Sequence, residues 1–409
     1  MLEIINGNYT IKQIFKDGWE GFRAEHKNIR DTVIKEVEKI LACKDKEKLG
    51  WNRYECPDCG HSHYAAHTCK SRFCNSCGKV MTDNWIVKME RDFFNTPYYH
   101  LVFHPPSELW IFFLFFRPCL NFLFKAASQA VLSWCKEQGF LPGIVEVMHT
   151  FSSNLDFSPH IHMLLSAGGL MDDDNFDFYR WRKCEFFPEK ILKERFKYYL
   201  VKYLRGWAVK QVKLIIPNTV KIIWKKKYGI IDLYSLTVAL YKVIWYVNIG
   251  KKLDNASYTT RYIGRYAKRP AISETKILYY NFNSQIVKFS YKDKRTKTFK
   301  EETVSVDEFI GRLIRHIPEK GFRMIRYYGF YANAVKGKLK EILEYQIGCL
   351  FGETKLLFEP KTWRKRILEL SGTDPLICPN CKVLMKLVEI AYRVRDGTLK
   401  SIVVRNVVF

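Results

Sequence analysis

The most regular alternation of polar and apolar positions lies in Pro159-His160-Ile161-His162-Met163-Leu164-Leu165, followed by Gly168-Gly169. In a strand, successive side chains leave on opposite faces, so His160, His162 and Leu164 share one side while Ile161, Met163 and Leu165 share the other. One face is predicted to be core, and the other offers two imidazoles. Upstream, Gly143–Phe151 reads as a second strand, and the polar turn Ser152–Asp156 joins the two into a hairpin. Tyr99–Phe103, ending at Pro105-Pro106, and Trp245–Ile249 read as further strands. Ile286–Tyr291 and Glu302–Val306 pair around a basic turn, and Arg323–Gly329 leads into a turn.

Helical spacing appears first in Asp31–Cys43, where Val33, Ile34, Val37, Ile40 and Leu41 fall on one side. Leu109–Phe124 is strongly apolar, but Arg117-Pro118 interrupts it below the roughly 20 residues that a membrane-spanning helix needs. With Ala126–Lys136 it predicts a helix pair laid over one face of a sheet. Residues 172–245 look like a helical and very basic insertion, with Lys225-Lys226-Lys227 at its middle. Trp207, Trp224, Tyr228 and Trp245 interleave with the charges, a mixture that suits single-stranded nucleic acid. Asp254-Asn255 can cap a helix over Ala256–Ala267 that stops before Pro270. On it Tyr258, Tyr262 and Tyr266 fall one turn apart. Gly264 costs about 1 kcal/mol relative to alanine in a helix interior, which points to a backbone or a DNA strand approaching closely there.

Composition narrows the partners. The 409 residues carry a net charge of +25, which calls for a polyanion, since neutralising phosphates releases counterions; a membrane surface would attract the chain as well. Met1–Asn6 holds an early acid and no signal-like apolar block, so cytosolic residence is expected. In a reducing compartment twelve cysteines argue against a disulfide framework. Cys56-Pro57-Asp58-Cys59 and Cys74-Asn75-Ser76-Cys77, fourteen residues apart, predict one tetrahedral zinc site made by Cys56, Cys59, Cys74 and Cys77. Cys69 is a surplus thiol that could replace one of the four or, with a nearby histidine, begin a second site. Cys378-Pro379-Asn380-Cys381 is half a knuckle whose partners the sequence does not identify. The imidazoles of His160 and His162 can hold a divalent metal with open coordination positions. Glu146 or His149 stands where a third ligand could sit, His149 being preferred and His104 a more distant alternative.

Five stretches in order, covering most of the chain, are TCKSRFCNSCGK (68–79), HTFSSNLDFSPHIHMLLSAGGL (149–170), RYIGRYAKRPAIS (261–273), GFRMIRYYGFYAN (321–333) and DPLICPNC (374–381). Together they resemble the rolling-circle transposases of the insertion-sequence-91 family, two-tyrosine members of the HUH endonuclease superfamily. The resemblance implies an α+β fold: a central antiparallel sheet with the histidines on a central strand, helices on its faces, and a small N-terminal zinc-binding domain. It implies His160 and His162, with His149, as ligands of Mg²⁺ or Mn²⁺, and Zn²⁺ on the N-terminal cysteines. Tyr262 and Tyr266 would be the nucleophiles that form a 5′-phosphotyrosine, with Tyr258 outside the motif. Arg261, Arg265, Lys268 and Arg269 would contact single-stranded DNA at element ends and target.

The expected organisation is a zinc-binding domain over 1–95 and a catalytic domain over 96–335 carrying a basic helical insertion at about 172–244. A C-terminal helical segment with the half knuckle would occupy 336–409. The expected setting is the cytoplasm, at the nucleoid, with no membrane. A plasmid replication initiator or relaxase would share this chemistry. A non-catalytic zinc-ribbon protein that binds nucleic acid would form no covalent adduct.

Overall fold

The computed structural model describes residues 9–171, 180–211, 216–230, 232–253, 259, 263–264, 270–293, 296–335, 361–394 and 397–404. The chain opens with α1 (Ile11–Glu25), whose first turn is capped by Thr10 accepting from Gln13 N–H, and α2 (Asp31–Leu41). A short α3 (Lys46–Leu49) leads into the hairpin β1 (Gly50–Glu55) and β2 (Ser62–Ala66), followed by α4 (Asn75–Asp92). Next come β3 (Tyr98–His104), α5 (Trp110–Phe115), α6 (Asn121–Glu137), β4 (Leu141–Phe151), β5 (Phe157–Met171) and β6 (Arg180–Lys183). Then follow α7 (Glu189–Val209), α8 (Asn218–Tyr228), α9 (Leu233–Ala239) and β7 (Tyr246–Leu253). The chain continues with β8 (Ile277–Asn281), β9 (Ile286–Lys292), β10 (Phe299–Ser305), α10 (Val306–Ile314) and β11 (Ile325–Gly329). It closes with α11 (Trp363–Ser371), β12 (Lys386–Arg393) and β13 (Leu399–Val403).

The architecture is α+β. The central sheet runs β11-β4-β5-β3-β7, every pair antiparallel, with β6 on the far end of β5. The histidine strand is thus internal, and the predicted hairpin is β4–β5. Its alternation sorts the core: Leu101, Phe103, Ile144, Met148, Ile161, Met163 and Leu165 face one way, into a core filled by α5, α6 and α7. As expected, Arg117-Pro118 breaks the apolar run; a single 3₁₀ turn, Arg117–Leu120, separates α5 from α6. Among the described residues no helix is long and apolar enough to cross a membrane.

The basic insertion behaves differently from its sequence reading. Trp224 and Trp245 are buried, and Trp224 Nε1–H donates to Glu108 O at 3.0 Å. Trp207 packs edge-on against Phe112 and Phe116. These indoles complete the apolar core instead of offering stacking platforms, because the amphipathic α7 brings Leu192, Phe196, Leu200 and Leu204 down onto the same sheet face.

A second sheet, β10-β9-β8, packs with α1, α2 and α10 around Trp19, Val37, Val287, Phe289 and Phe309. The third sheet, β13-β12-β1-β2, joins described residues of the C-terminal segment to the N-terminal hairpin, while 336–360 lie outside the described residues. Apart from α11, the described residues there form a strand pair that extends the N-terminal hairpin. Gly50, at φ +89°, fits this seam because a Cβ would stand 2.1 Å from Ala391 O.

Candidate active site and thiol clusters

The second face of the central sheet carries the histidines. His149, on β4, lies directly across the ladder from His160, and their neighbour His162 pairs with Val147 and Val102. All three are buried, and their ring nitrogens gather within 4.8 Å of one another. His160 Nε2 and His162 Nε2 are 3.0 Å apart. Two nitrogens bound at right angles to an octahedral ion, with bonds near 2.1 Å, would be separated by about 3.0 Å. The remaining ring nitrogens are oriented by neighbours. His160 Nδ1 is 2.7 Å from Ser158 O, and His162 Nδ1 is 2.9 Å from His100 Nε2. Burial pulls the His100 pKa down to about 4, so at neutral pH it is uncharged and can accept the His162 Nδ1 proton. In that arrangement both Nε2 lone pairs point to one place. His104 stacks on His160, ring centroids 4.2 Å apart.

Glu146, the alternative third ligand, belongs to the opposite face, since it sits one residue out of phase with Val147 and His149. It is fully buried with no hydrogen-bond partner for either oxygen among the described residues, and burial raises its pKa well above the usual carboxylate value. His149 therefore joins the pair and Glu146 does not.

Above the histidine face lies α4, with Trp85 and Met89 packed on Val145, Val147 and Leu164. Ile263 enters the same cluster, fully buried. Its neighbour Gly264 explains its own sequence signal: a Cβ there would stand 2.5 Å from Ile86 Cγ1. A side chain of α4 makes the close approach, in place of the backbone or DNA strand the sequence pointed to. Tyr258, Tyr262 and Tyr266, with Arg261, Arg265, Lys268 and Arg269, lie outside the described residues.

Sequence reasoning missed Arg323. The Met148 N–H donates to Met324 O at 2.9 Å, one residue beyond the Ile325↔Val147 pair, which brings the segment of Arg323 toward the end of β4 that carries His149. Arg323 borders a cleft of about 740 Å³ that Arg117, Lys320 and Arg326 also line, with Phe322, Tyr327 and Tyr328 as its aromatic wall. Arg326 is held by Asn121 and lies 4.2 Å from the centroid of Phe124. The motif containing Arg323 was visible in the sequence; its place in this cleft depended on the pairing of β11 with β4 across about 170 residues.

The predicted zinc quartet is split. Cys74 and Cys77 join Cys43 and Cys69, whereas Cys56 and Cys59 join Cys378 and Cys381. The cause is the β1–β2 hairpin. Cys56 and Cys59 ride at its tip, while Cys43, Cys69, Cys74 and Cys77 lie at its base, and a five-residue strand such as β2 spans roughly 17 Å. In the base cluster the sulfurs of Cys43 and Cys77 are 3.8 Å apart, those of Cys43 and Cys74 3.8 Å and those of Cys69 and Cys77 3.6 Å. In the tip cluster Cys59 and Cys378 are 3.7 Å apart. Four thiolates bound tetrahedrally at about 2.3 Å would have sulfurs about 3.8 Å from one another, far from the roughly 2.05 Å of a disulfide. Hydrogen bonds from Cys69 and Cys74 pull the Cys43 thiol down to about 6, and the His61 backbone, then Cys381, pulls Cys59 to about 7. The lowered thiols are the readier thiolates, while in the same clusters the bonds to them push Cys69, Cys74 and Cys381 up. Cys74 caps α4 and Cys77 sits in its first turn, so the base cluster anchors the helix that covers the histidine face.

Comparison with known proteins places the chain in a family. Residues 143–338 match a family described as putative transposase, and residues 14–104 match one described as transposase zinc-binding domain. The chain is 34% identical over 365 residues to the transposase for insertion sequence element IS801 of Pseudomonas savastanoi pv. phaseolicola, covering 88% of this chain and 84% of that one. It is 26% identical over 379 residues to the putative transposase y4qJ of Sinorhizobium fredii (strain NBRC 101917 / NGR234), covering 91% and 92%. No solved structure gives a significant match. With a zinc-binding segment and a transposase segment in the same order, and identity to a transposase along nearly its whole length, the chain belongs to the insertion-sequence-91 family of transposases.

Proposed function

We propose that the chain nicks and rejoins single-stranded DNA at the ends of a mobile element through a 5′-phosphotyrosine, in a rolling-circle-like transposition carried out in the cytoplasm at the nucleoid. The observation that carries this reading is the histidine face: three imidazoles converge there, beneath Ile263, which lies in sequence between Tyr262 and Tyr266. A Mg²⁺ or Mn²⁺ ion bound there would polarise the scissile phosphate and offset the charge that develops on it. The protein's part begins with Ser158 O and His100, which hold the His160 and His162 rings so that both Nε2 atoms face the site.

In the reaction, one tyrosine hydroxyl attacks the phosphorus; its O–P bond forms as the bond to the 3′ oxygen breaks. The phenolic proton is lost and the departing oxygen gains one, leaving a 3′-OH. The phosphotyrosine is still an ester, so a 3′-OH can attack it in turn and rejoin strands without a nucleotide cofactor. A second tyrosine one turn away can hold the other end. Arg323, Arg261, Arg265, Lys268 and Arg269 would neutralise the strand's phosphates. Zinc at Cys43, Cys69, Cys74 and Cys77 would have a structural role.

Incubating the protein with single strands from both element ends and Mn²⁺, then denaturing it, tests the proposal. A covalent protein–DNA species is expected, lost in EDTA and absent from the Tyr262→Phe/Tyr266→Phe double variant. Peptide mapping that finds the DNA on a tyrosine outside this pair, or cleavage that persists in the chelator, would overturn the assignment.

A further inference from the structure

Cys378 and Cys381 lie beyond both matched family segments, which end at 338 and 104, yet their turn is built like that of Cys56 and Cys59. Gly60 N–H donates to Cys56 O at 3.0 Å, and Lys382 N–H to Cys378 O at 3.0 Å. Cys56 N–H donates to His61 O at 2.9 Å, and Cys378 N–H to Val383 O at 2.9 Å. The residue after each second cysteine is left-handed, Gly60 at φ 71° and Lys382 at φ 62°. Two Cys-Pro-x-Cys knuckles of one design therefore face each other, with Asn380 Nδ2–H reaching Cys59 Sγ at 3.9 Å and Tyr54, Val383 and Met385 forming the apolar surround.

We propose that this cluster binds a zinc ion of its own, distinct from the one expected at Cys43, Cys69, Cys74 and Cys77, and that this ion fastens the C-terminal strand pair to the N-terminal hairpin. The strand pair has little apolar core of its own. Among the described residues from 361 to 404 only Cys378, Met385 and Ala391 are buried, α11 buries none, and β13 is exposed throughout. Apart from the ladder between β12 and β1, the contacts across the seam are mostly polar and at the surface: Arg53 with Glu389 at 3.1 Å, Arg393 with Lys48 O at 3.4 Å, Arg366 with Asn84 at 2.7 Å and Asp83 at 3.6 Å, and the Trp363 ring stacked on Tyr54 at 6.1 Å. Two strands with so small a core are marginal in water, and a metal that binds only the assembled ligands contributes its binding free energy to the assembly. Zinc here joins segments more than 300 residues apart, and the folded N-terminal module includes β12 and β13.

The test uses the full-length chain, dialysed against Mg²⁺ so that zinc leaves the histidine site, and native mass spectrometry to count what stays bound. Two zinc ions are expected, falling to one in the Cys378→Ser/Cys381→Ser variant, whose residues beyond 361 should then be removed by protease faster than in the wild type. A wild-type chain with one zinc, or a double variant that keeps two, overturns the proposal. Should the variant fail to fold, alkylation of the wild type decides the matter. Chelation must uncover Cys56, Cys59, Cys378 and Cys381 as a group, and free labelling of Cys378 and Cys381 in the zinc-loaded chain would rule the clasp out.

Discussion

The two faces of β5 differ by one residue step and by everything that covers them. Ile161, Met163 and Leu165 look into a core closed by α5, α6 and α7, where packing alone sets what each position requires. His160 and His162 look into a space shared with His100, His104 and His149, beneath α4 and Ile263, where each ring is oriented by a neighbour. The apolar side is covered by long helices that supply volume. The histidine side is covered by a helix whose first turn is tied to a thiol cluster, so the lid of the site is fixed at one end by chemistry and not by packing alone. Neighbouring residues of one strand should therefore fail in different ways.

The sharpest contrast is His162 against Met163. His162→Ala should reduce adduct formation beyond the roughly 10–100-fold expected for an outer partner such as His100→Ala, while the chain still folds and binds single strands. Met163→Ala should cost about 2–5 kcal/mol of stability in a urea titration yet leave metal affinity unchanged. Loss of metal binding in Met163→Ala, or an active His162→Ala, would erase the distinction between the faces.

Next in size is the contact between Gly264 and Ile86. Gly264→Ala puts a methyl group where Ile86 stands and should cost about 1–3 kcal/mol of local strain. We expect it to slow strand transfer by pushing Ile263 and Gly264 away from α4, with recovery in Gly264→Ala/Ile86→Ala. A double variant no better than the single would show that the glycine serves something other than clearance.

The smallest effect concerns Glu146, a carboxylate on the packing face. Burial raises its folded pKa well above the ordinary 4.5 of a glutamate, so its contribution to stability is fully present below that pH and is lost as pH rises. Glu146→Gln should thus be more stable than the wild type at pH 7, by roughly 1–2 kcal/mol, and the gap should close below about pH 4.5. Metal affinity should not change; a fall would move Glu146 to the other face of the argument and restore it as a ligand.

The amino-acid sequence by itself determined what depends on neighbours along the chain. The period of two in β5 assigns His160 and His162 to one face, the hairpin turn brings His149 within reach of them, and Arg117-Pro118 breaks the apolar helix where expected. Periodicity and turn chemistry act over a few residues, so they survive in one dimension. Only the tertiary structure decided which thiols meet. Cys56 lies closer in sequence to Cys74 than to Cys378, and spacing favoured the nearer pair, but the β1–β2 hairpin carries the two Cys-x-x-Cys motifs to opposite ends and the pairing of β12 with β1 brings in the distant one. The same holds for His100 behind His162, Arg323 at the cleft beside β11, and the tryptophans of the basic insertion, which no local pattern separates from a nucleic-acid-binding surface. Each is settled by strand register or helix docking between remote segments, where a one-residue shift in pairing would turn every side chain to the other face.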